Sequence, residues 1–376
     1  MEPKKSRLVF IDALRGLAVF AMLECHVVNA IMMNSYKVGE LYDFINILNG
    51  FIAVSFLFLA GSGFYLAIAK KGQEYLRFEK PLIAYIKRLG LILLLAYSIH
   101  LPVLSIFKLF SLSPSQLLVF AECDVLQTIV ASSLFGLLLF FIIRNLKYAK
   151  YVYALFAVVF FFFTPLMWGW NAFSVLPTMI AAYFSKAPIS KFPLFPWSGY
   201  FFTGVAFTAF FFSTENKEKL AKIGFISAII VGYLCFATRF WASAAFNWPD
   251  WWQGFPLHSI YRVCGPIMMF CLLYLIENKL KESKIANAFA LIGQESLLVY
   301  IGHLMLVYGS IINFGYIYML GPRAHPVSTA LVTIIMCVFF YYMALAWNTL
   351  KKERPAEAKK MMYGCALMVL AIMCVF

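Results

Sequence analysis

An arginine and a histidine with ten residues between them, Arg15 and His26, stand inside the apolar stretch 8–31. At 3.6 residues per turn that spacing is about three helical turns, so the two side chains share one helix face, roughly 16 Å apart along the axis. Arg15 keeps its charge at any accessible pH. His26 can take a proton near neutrality, which suits a general base. Ionisable groups inside a membrane span are expensive and mark pathways or reaction sites. Asp12, three residues before Arg15, is spaced to pair with it. Glu24 points to the opposite face.

Further polar groups lie in later apolar stretches. Ser296 and His303 are seven apart on one face of the segment 286–308, with Tyr300 one turn from His303. Asp124, followed by Gln127 and Thr128, can steer a histidine tautomer, receive a substrate hydroxyl, or pair with Arg262. His258 and Arg262 are one turn apart. Trp251 lies in the tryptophan-rich loop 247–254, a surface on which a sugar ring can stack. Lys87 and Arg88, with Lys70, Lys71, Arg77 and Lys80, make a basic segment that would attract a phosphorylated donor. Each feature has a plainer alternative: a structural ion pair, hydrogen bonds between spans, interfacial tryptophan or topological lysine. There is no P-loop, no nucleophile elbow and no zinc-type spacing, so no metal is expected.

These residues need a scaffold, and composition names it. Of 376 residues, 63% are hydrophobic and 13% charged, where soluble domains are nearer half and a quarter. The expected fold is an all-α, polytopic membrane bundle of 10 to 11 helices in one domain, 1–376. Eleven stretches reach span length: 8–31, 46–69, 89–107, 117–143, 150–171, 193–213, 222–241, 258–276, 286–308, 326–350 and 361–376. The stretch 171–192 reads as re-entrant or interfacial. The first span reads as retained rather than as a cleaved signal peptide. The eight cysteines show no metal spacing and read as small core residues.

The net charge of +14 does not imply nucleic acid, because the basic residues fall in alternate short loops. One set of loops (1–7, 70–88, 144–150, 214–222, 277–285, 351–360) holds 23 Lys and Arg, and the intervening set holds six. The first set is therefore expected in the cytoplasm, with the N-terminus inside and the C-terminus outside. All five histidines then fall toward the outer side.

The run Ile11-Asp-Ala-Leu-Arg-Gly-Leu-Ala18 followed by His26 resembles the opening span of the transmembrane acyltransferase superfamily. That group includes the acyltransferase-3 proteins and the heparan-α-glucosaminide N-acetyltransferase-like proteins. Phe56-Leu-Phe-Leu-Ala-Gly-Ser-Gly-Phe64, Lys87-Arg-Leu-Gly90, Asp124-Val-Leu-Gln-Thr-Ile129, Phe192-Pro-Leu-Phe-Pro-Trp-Ser-Gly199 and Gly293-Gln-Glu-Ser-Leu-Leu-Val-Tyr-Ile-Gly-His303 extend the resemblance over residues 8–308. It implies a membrane acyltransferase using acetyl-CoA or another acyl-CoA from the cytoplasm, and an extracytoplasmic sugar hydroxyl or amine as acceptor. Carried over, His26 is the catalytic candidate, as general base or as carrier of the acyl group, His303 is a weaker match from its motif, and Arg15 is the donor contact; Asp124 joins the catalytic candidates, and Lys87 and Arg88 the donor-binding ones, from their residue types and places in the chain. His258, Arg262 and Trp251 are acceptor candidates. The animal heparan enzymes carry a large lumenal region ahead of the membrane domain. The expectation here is a chain without one, so the acceptor class widens to a surface polysaccharide, a cell-wall sugar or a lipid-linked glycan. The expected location is a bacterial inner membrane, with membrane lipid as a partner and a homodimer as a candidate assembly. Two other readings stay open: a proton-coupled transporter or flippase of a glycan or lipid intermediate, and a non-catalytic assembly subunit.

Overall fold

The computed structural model describes residues 8–186, 188, 190–241 and 254–375. Within them the chain is almost wholly helical. The first nine helices are α1 (Val9–Ile31), α2 (Glu40–Asn49), α3 (Ile52–Leu76), α4 (Lys80–Ile99), α5 (Pro114–Ala121), α6 (Val125–Ile143), α7 (Leu146–Phe162), α8 (Thr164–Gly169) and α9 (Thr178–Phe184). The next nine are α10 (Leu194–Ser213), α11 (Lys217–Ala237), α12 (Pro256–Leu275), α13 (Glu277–Glu282), α14 (Lys284–Gln294), α15 (Ser296–Tyr308), α16 (Tyr316–Leu320), α17 (Pro326–Glu353) and α18 (Pro355–Val375). A two-residue hairpin, β1 (Gly309–Ser310) with β2 (Asn313–Phe314), follows α15.

The chain is an all-α, polytopic membrane protein. Among the described residues, eight helices are long and apolar enough to cross a bilayer, nine if the bent pair α14 and α15 is one span. The remaining two expected spans correspond to α1, which carries Asp12, Arg15 and Glu24, and to α7, which has 17 residues. Apolar side chains such as Ile226, Ile230 and Tyr233 on α11 or Leu367 and Leu370 on α18 are exposed, as lipid-facing residues are.

Several limits differ from the expected ones, each for a local reason. The basic segment 70–88 is helical except at 77–79, because lysine and arginine are good helix formers whose aliphatic stems let a helix outrun its apolar stretch. The third span ends at Ile99 rather than 107, just before Leu101-Pro102, since a residue preceding proline avoids helical angles. The stretch 117–143 is two helices. Asp124 accepts from the Val125 amide at 2.7 Å, and the Gln127 side chain accepts from the Asp124 amide at 3.2 Å, a capping box that starts α6 afresh.

By contacts the chain sorts into two compact units interleaved in sequence: residues 1–52, 101–116 and 276–376, and residues 53–100 and 117–275. In the first, α1 packs chiefly on α14 and α17. Gly16 lies against the Phe289 backbone and Gly293 against the Asp12 carbonyl, so close that neither position has room for a Cβ. Small residues of this kind let helix backbones touch in a membrane, where van der Waals packing replaces the hydrophobic drive. In the second unit, Gly61 and Gly204 do the same for α3 and α10, beside a cluster of Phe58, Phe207, Phe211 and Phe270.

Candidate active site

In the first unit, α1 carries its charged pair near the start. Arg15 Nη1 is 3.6 Å from Asp12 Oδ1, as the three-residue spacing predicts, and Asp12 Oδ2 accepts from Gln294 Nε2 at 3.2 Å. The Gly16 and Gly293 contact brings α14 near enough for that bond. Eleven residues on, His26 faces the protein interior. Its Nδ1 lies 2.8 Å from Nε2 of His303, which is fully buried on α15, and the two rings are tilted by 31°. His303 Nδ1 in turn lies 2.9 Å from the Val299 carbonyl oxygen one turn earlier.

This chain of contacts dictates where the protons sit. A carbonyl only accepts, so His303 Nδ1 carries hydrogen and donates to it. In the neutral pair His303 Nε2 is then the acceptor, and His26 Nδ1 donates to it. The lone pair of His26 is thereby placed on Nε2, making that atom the basic nitrogen. The arrangement has the logic of an oriented base, with a buried partner setting tautomer and ring plane. Tyr308 sets its ring edge-on to His26, with centroids 5.5 Å apart, and Tyr300 does the same for His303.

The pair is held by what happens at the helix ends. The Ile31 carbonyl at the end of α1 accepts from the Ala324 amide at 2.8 Å, and Lys37 Nζ reaches the Asn29 carbonyl at 2.9 Å. Both satisfy carbonyls that a helix terminus leaves unpaired, and the cation also suits the negative end of the helix. After Tyr308, Gly309 turns the chain at φ +82°, and Asn313 Nδ2 donates back to the Met305 carbonyl at 2.8 Å.

The direction of α15 is decided at Glu295. There α14 and α15 meet at 76°. The Glu295 carboxylate is 5% exposed and receives Lys351 Nζ at 2.6 and 2.7 Å and Asn348 Nδ2 at 2.7 Å, both from α17. Glu295 thus anchors the break. Sequence reasoning passed over it, although a carboxylate in the apolar run 286–308 was a signal that a partner must exist. The His26 and His303 pairing was not legible at all, since 277 residues separate them.

The second unit holds the other candidates. Asp124, besides capping α6, has Oδ2 3.7 Å from Nε2 of His100, whose Nδ1 is 3.9 Å from Glu122 Oε2. Lys191 Nζ pairs with Glu122 at 3.0 Å. The histidine beside Asp124 is therefore His100. Arg262 and Ser259 both hydrogen-bond the buried Tyr200 hydroxyl, and the Arg262 guanidinium lies 5.9 Å from the Trp197 ring. His258 is buried one turn before Arg262. Lys87 and Arg88 are exposed on α4. Trp251 lies outside the described residues. Of the remaining histidines, His325 caps α17 by accepting from the Val327 amide at 3.3 Å. Glu24 accepts a hydrogen bond from Asn49, in keeping with its opposite face.

Residues 7–240 match the family model described as "Heparan-alpha-glucosaminide N-acetyltransferase, catalytic". Residues 206–364 match a second model, described as "Protein of unknown function (DUF418)". No curated protein matches the chain.

Proposed function

The chain belongs to the heparan-alpha-glucosaminide N-acetyltransferase family, and from that premise we propose that it moves an acetyl group from cytoplasmic acyl-CoA to a hydroxyl or amine of an extracytoplasmic glycan. His26 is the general base. The observation that carries this role is the hydrogen-bonded series from His26 Nδ1 through His303 to the Val299 carbonyl. His26 Nε2 takes the proton of the acceptor as its oxygen or nitrogen bonds to the thioester carbon. The carbon–sulfur bond breaks, and the proton leaves with the CoA sulfur as a thiol. The two imidazoles share the positive charge that appears on His26, because His303 Nε2 remains an acceptor for its Nδ1–H. Arg15, steadied by Asp12, supplies a permanent cation to the donor.

On this reading the protein sits in a bacterial inner membrane with its N-terminus in the cytoplasm. The test is incubation of the purified protein with radiolabelled acetyl-CoA, with and without membrane glycan. Label is expected on glycan with the wild type and not with His26→Ala, at equal insertion and folding. Wild-type transfer by that variant would remove His26 from the mechanism. A second reading, proton-coupled transport of a glycan or lipid intermediate, draws on the broken span at Glu295, a feature of transporter folds. Uptake of unmodified substrate into vesicles lacking acetyl-CoA would favour it.

A further inference from the structure

The bend that aims His303 at His26 is not imposed by covalent structure. No proline lies between residues 284 and 308, so nothing in the backbone forbids α14 and α15 from forming one straight helix. Glu295 takes unstrained angles, φ −100° and ψ 20°, and its amide is shared between the Leu291 and Ile292 carbonyls at 3.2 and 3.1 Å. The bend is therefore held from outside, on two sides. Gln294 is tied to Asp12 of α1 at 3.2 Å, and the buried Glu295 carboxylate receives Lys351 and Asn348 of α17. The same α17 is the platform for the rest of α15: the fully buried Phe340 ring lies against Gly302, next to His303.

This arrangement has leverage. The Glu295 carbonyl accepts from the Val299 amide at 3.2 Å, and the Val299 carbonyl accepts from His303 Nδ1 at 2.9 Å, so the break and the histidine move as one helical piece. His303 is eight residues beyond Glu295. At 1.5 Å rise per residue that is about 12 Å, and a tilt of α15 by about 5° displaces its ring by about 1 Å. The contact with His26 is 2.8 Å long, and such a displacement carries it past hydrogen-bonding distance. Stability alone gives little reason for ions at the break, because a well-packed apolar pair often serves a buried site as well. We propose that Glu295 and Lys351 are positioning residues for the base: their ion pair fixes the tilt of α15 and so keeps His303 Nε2 on His26 Nδ1. The inference rests on the acyltransferase reading above, and makes the rate of that reaction depend on two residues remote from the reacting atoms.

The experiment measures kcat and the KM for acetyl-CoA of the full chain in nanodiscs, with radiolabelled acetyl-CoA and membrane glycan, alongside thermal unfolding. Glu295→Gln combined with Lys351→Met removes both charges at once and leaves none buried, so the unfolding temperature is expected to hold. Transfer is expected to slow about 10- to 100-fold in kcat, as for one lost hydrogen bond to the imidazolium, with KM unchanged. Adding His303→Ala should make the protein no slower than His303→Ala alone, because both losses act through the same contact. Lys351→Arg, which offers two N–H groups to the two carboxylate oxygens, should keep most of the rate. Unchanged kcat in the charge-free pair overturns the positioning role alone, as does a loss that multiplies with that of His303→Ala or one confined to KM. Should the charge-free pair fail to fold, Glu295→Gln by itself is compared with Lys351→Arg: a slower glutamine variant is expected, and equal rates overturn the role. A wild type that transfers no acetyl group overturns the acyltransferase reading and this role with it.

Discussion

Replacing His303 by alanine removes the partner of His26 without touching the proposed base. During transfer His26 becomes an imidazolium, and the bond from its Nδ1 to His303 Nε2, 2.8 Å long in the structure, strengthens as the charge develops. A hydrogen bond to a charged group contributes about 1.5–3 kcal/mol. At 1.36 kcal/mol per decade in rate, its loss slows transfer roughly 10- to 150-fold. His26→Ala should cost more, on the order of 10²–10⁴ for a general base. Because His303 acts only through His26, the double variant should be no slower than His26→Ala alone. His303→Gln, whose side-chain oxygen can reach a position near the lost Nε2, should recover part of the rate. The assay is single-turnover acetyl transfer by purified protein, with thermal unfolding alongside to exclude loss of fold. Multiplicative losses in the double variant would refute the reasoning, because they would mean that His303 contributes by a route independent of His26.

Transfer should fall as pH drops, because a protonated His26 Nε2 has no lone pair to offer; a rate–pH profile that rises toward acid would contradict the base role. Glu295→Ala should destabilise the protein by about 3 kcal/mol, the low end for breaking a buried ion pair because the Lys351 it leaves behind is 41% exposed; denaturation in detergent measures it, and Lys351→Met, which leaves the buried Glu295 carboxylate without its cation, should cost more. Asp124→Asn should retain stability and transfer if the residue serves only as the cap of α6, whereas Asp124→Ala should lose about 1 kcal/mol; a loss of transfer in the asparagine variant at full stability would support the chemical role expected of Asp124. Gly16→Ala should lower the unfolding temperature, since a Cβ there meets the Phe289 backbone, while Gly90→Ala, in open space on α4, should leave it unchanged or raise it.

Much of the design was readable along the chain because it is local. Apolar length and composition predict a helical membrane bundle, since lipid leaves backbone groups no partner but their own helix. The three-residue spacing predicts the Asp12 and Arg15 pair, and the Arg15 and His26 period predicts one shared face. The Asp124-x-x-Gln127 capping box is equally local. Three features came only with the fold. His303 became the partner of His26 because α15 leaves α14 at 76°, and that angle is held by a Glu295 and Lys351 contact spanning 56 residues. Asp124 met His100 through side chains that no periodicity relates. A cavity lined by Lys71 and Arg144 arose where the end of α3 meets the turn before α7. Periodicity describes one helix at a time. Which faces meet depends on bends, glycine contacts and buried ion pairs, whose energies compare whole arrangements of the chain rather than any single stretch.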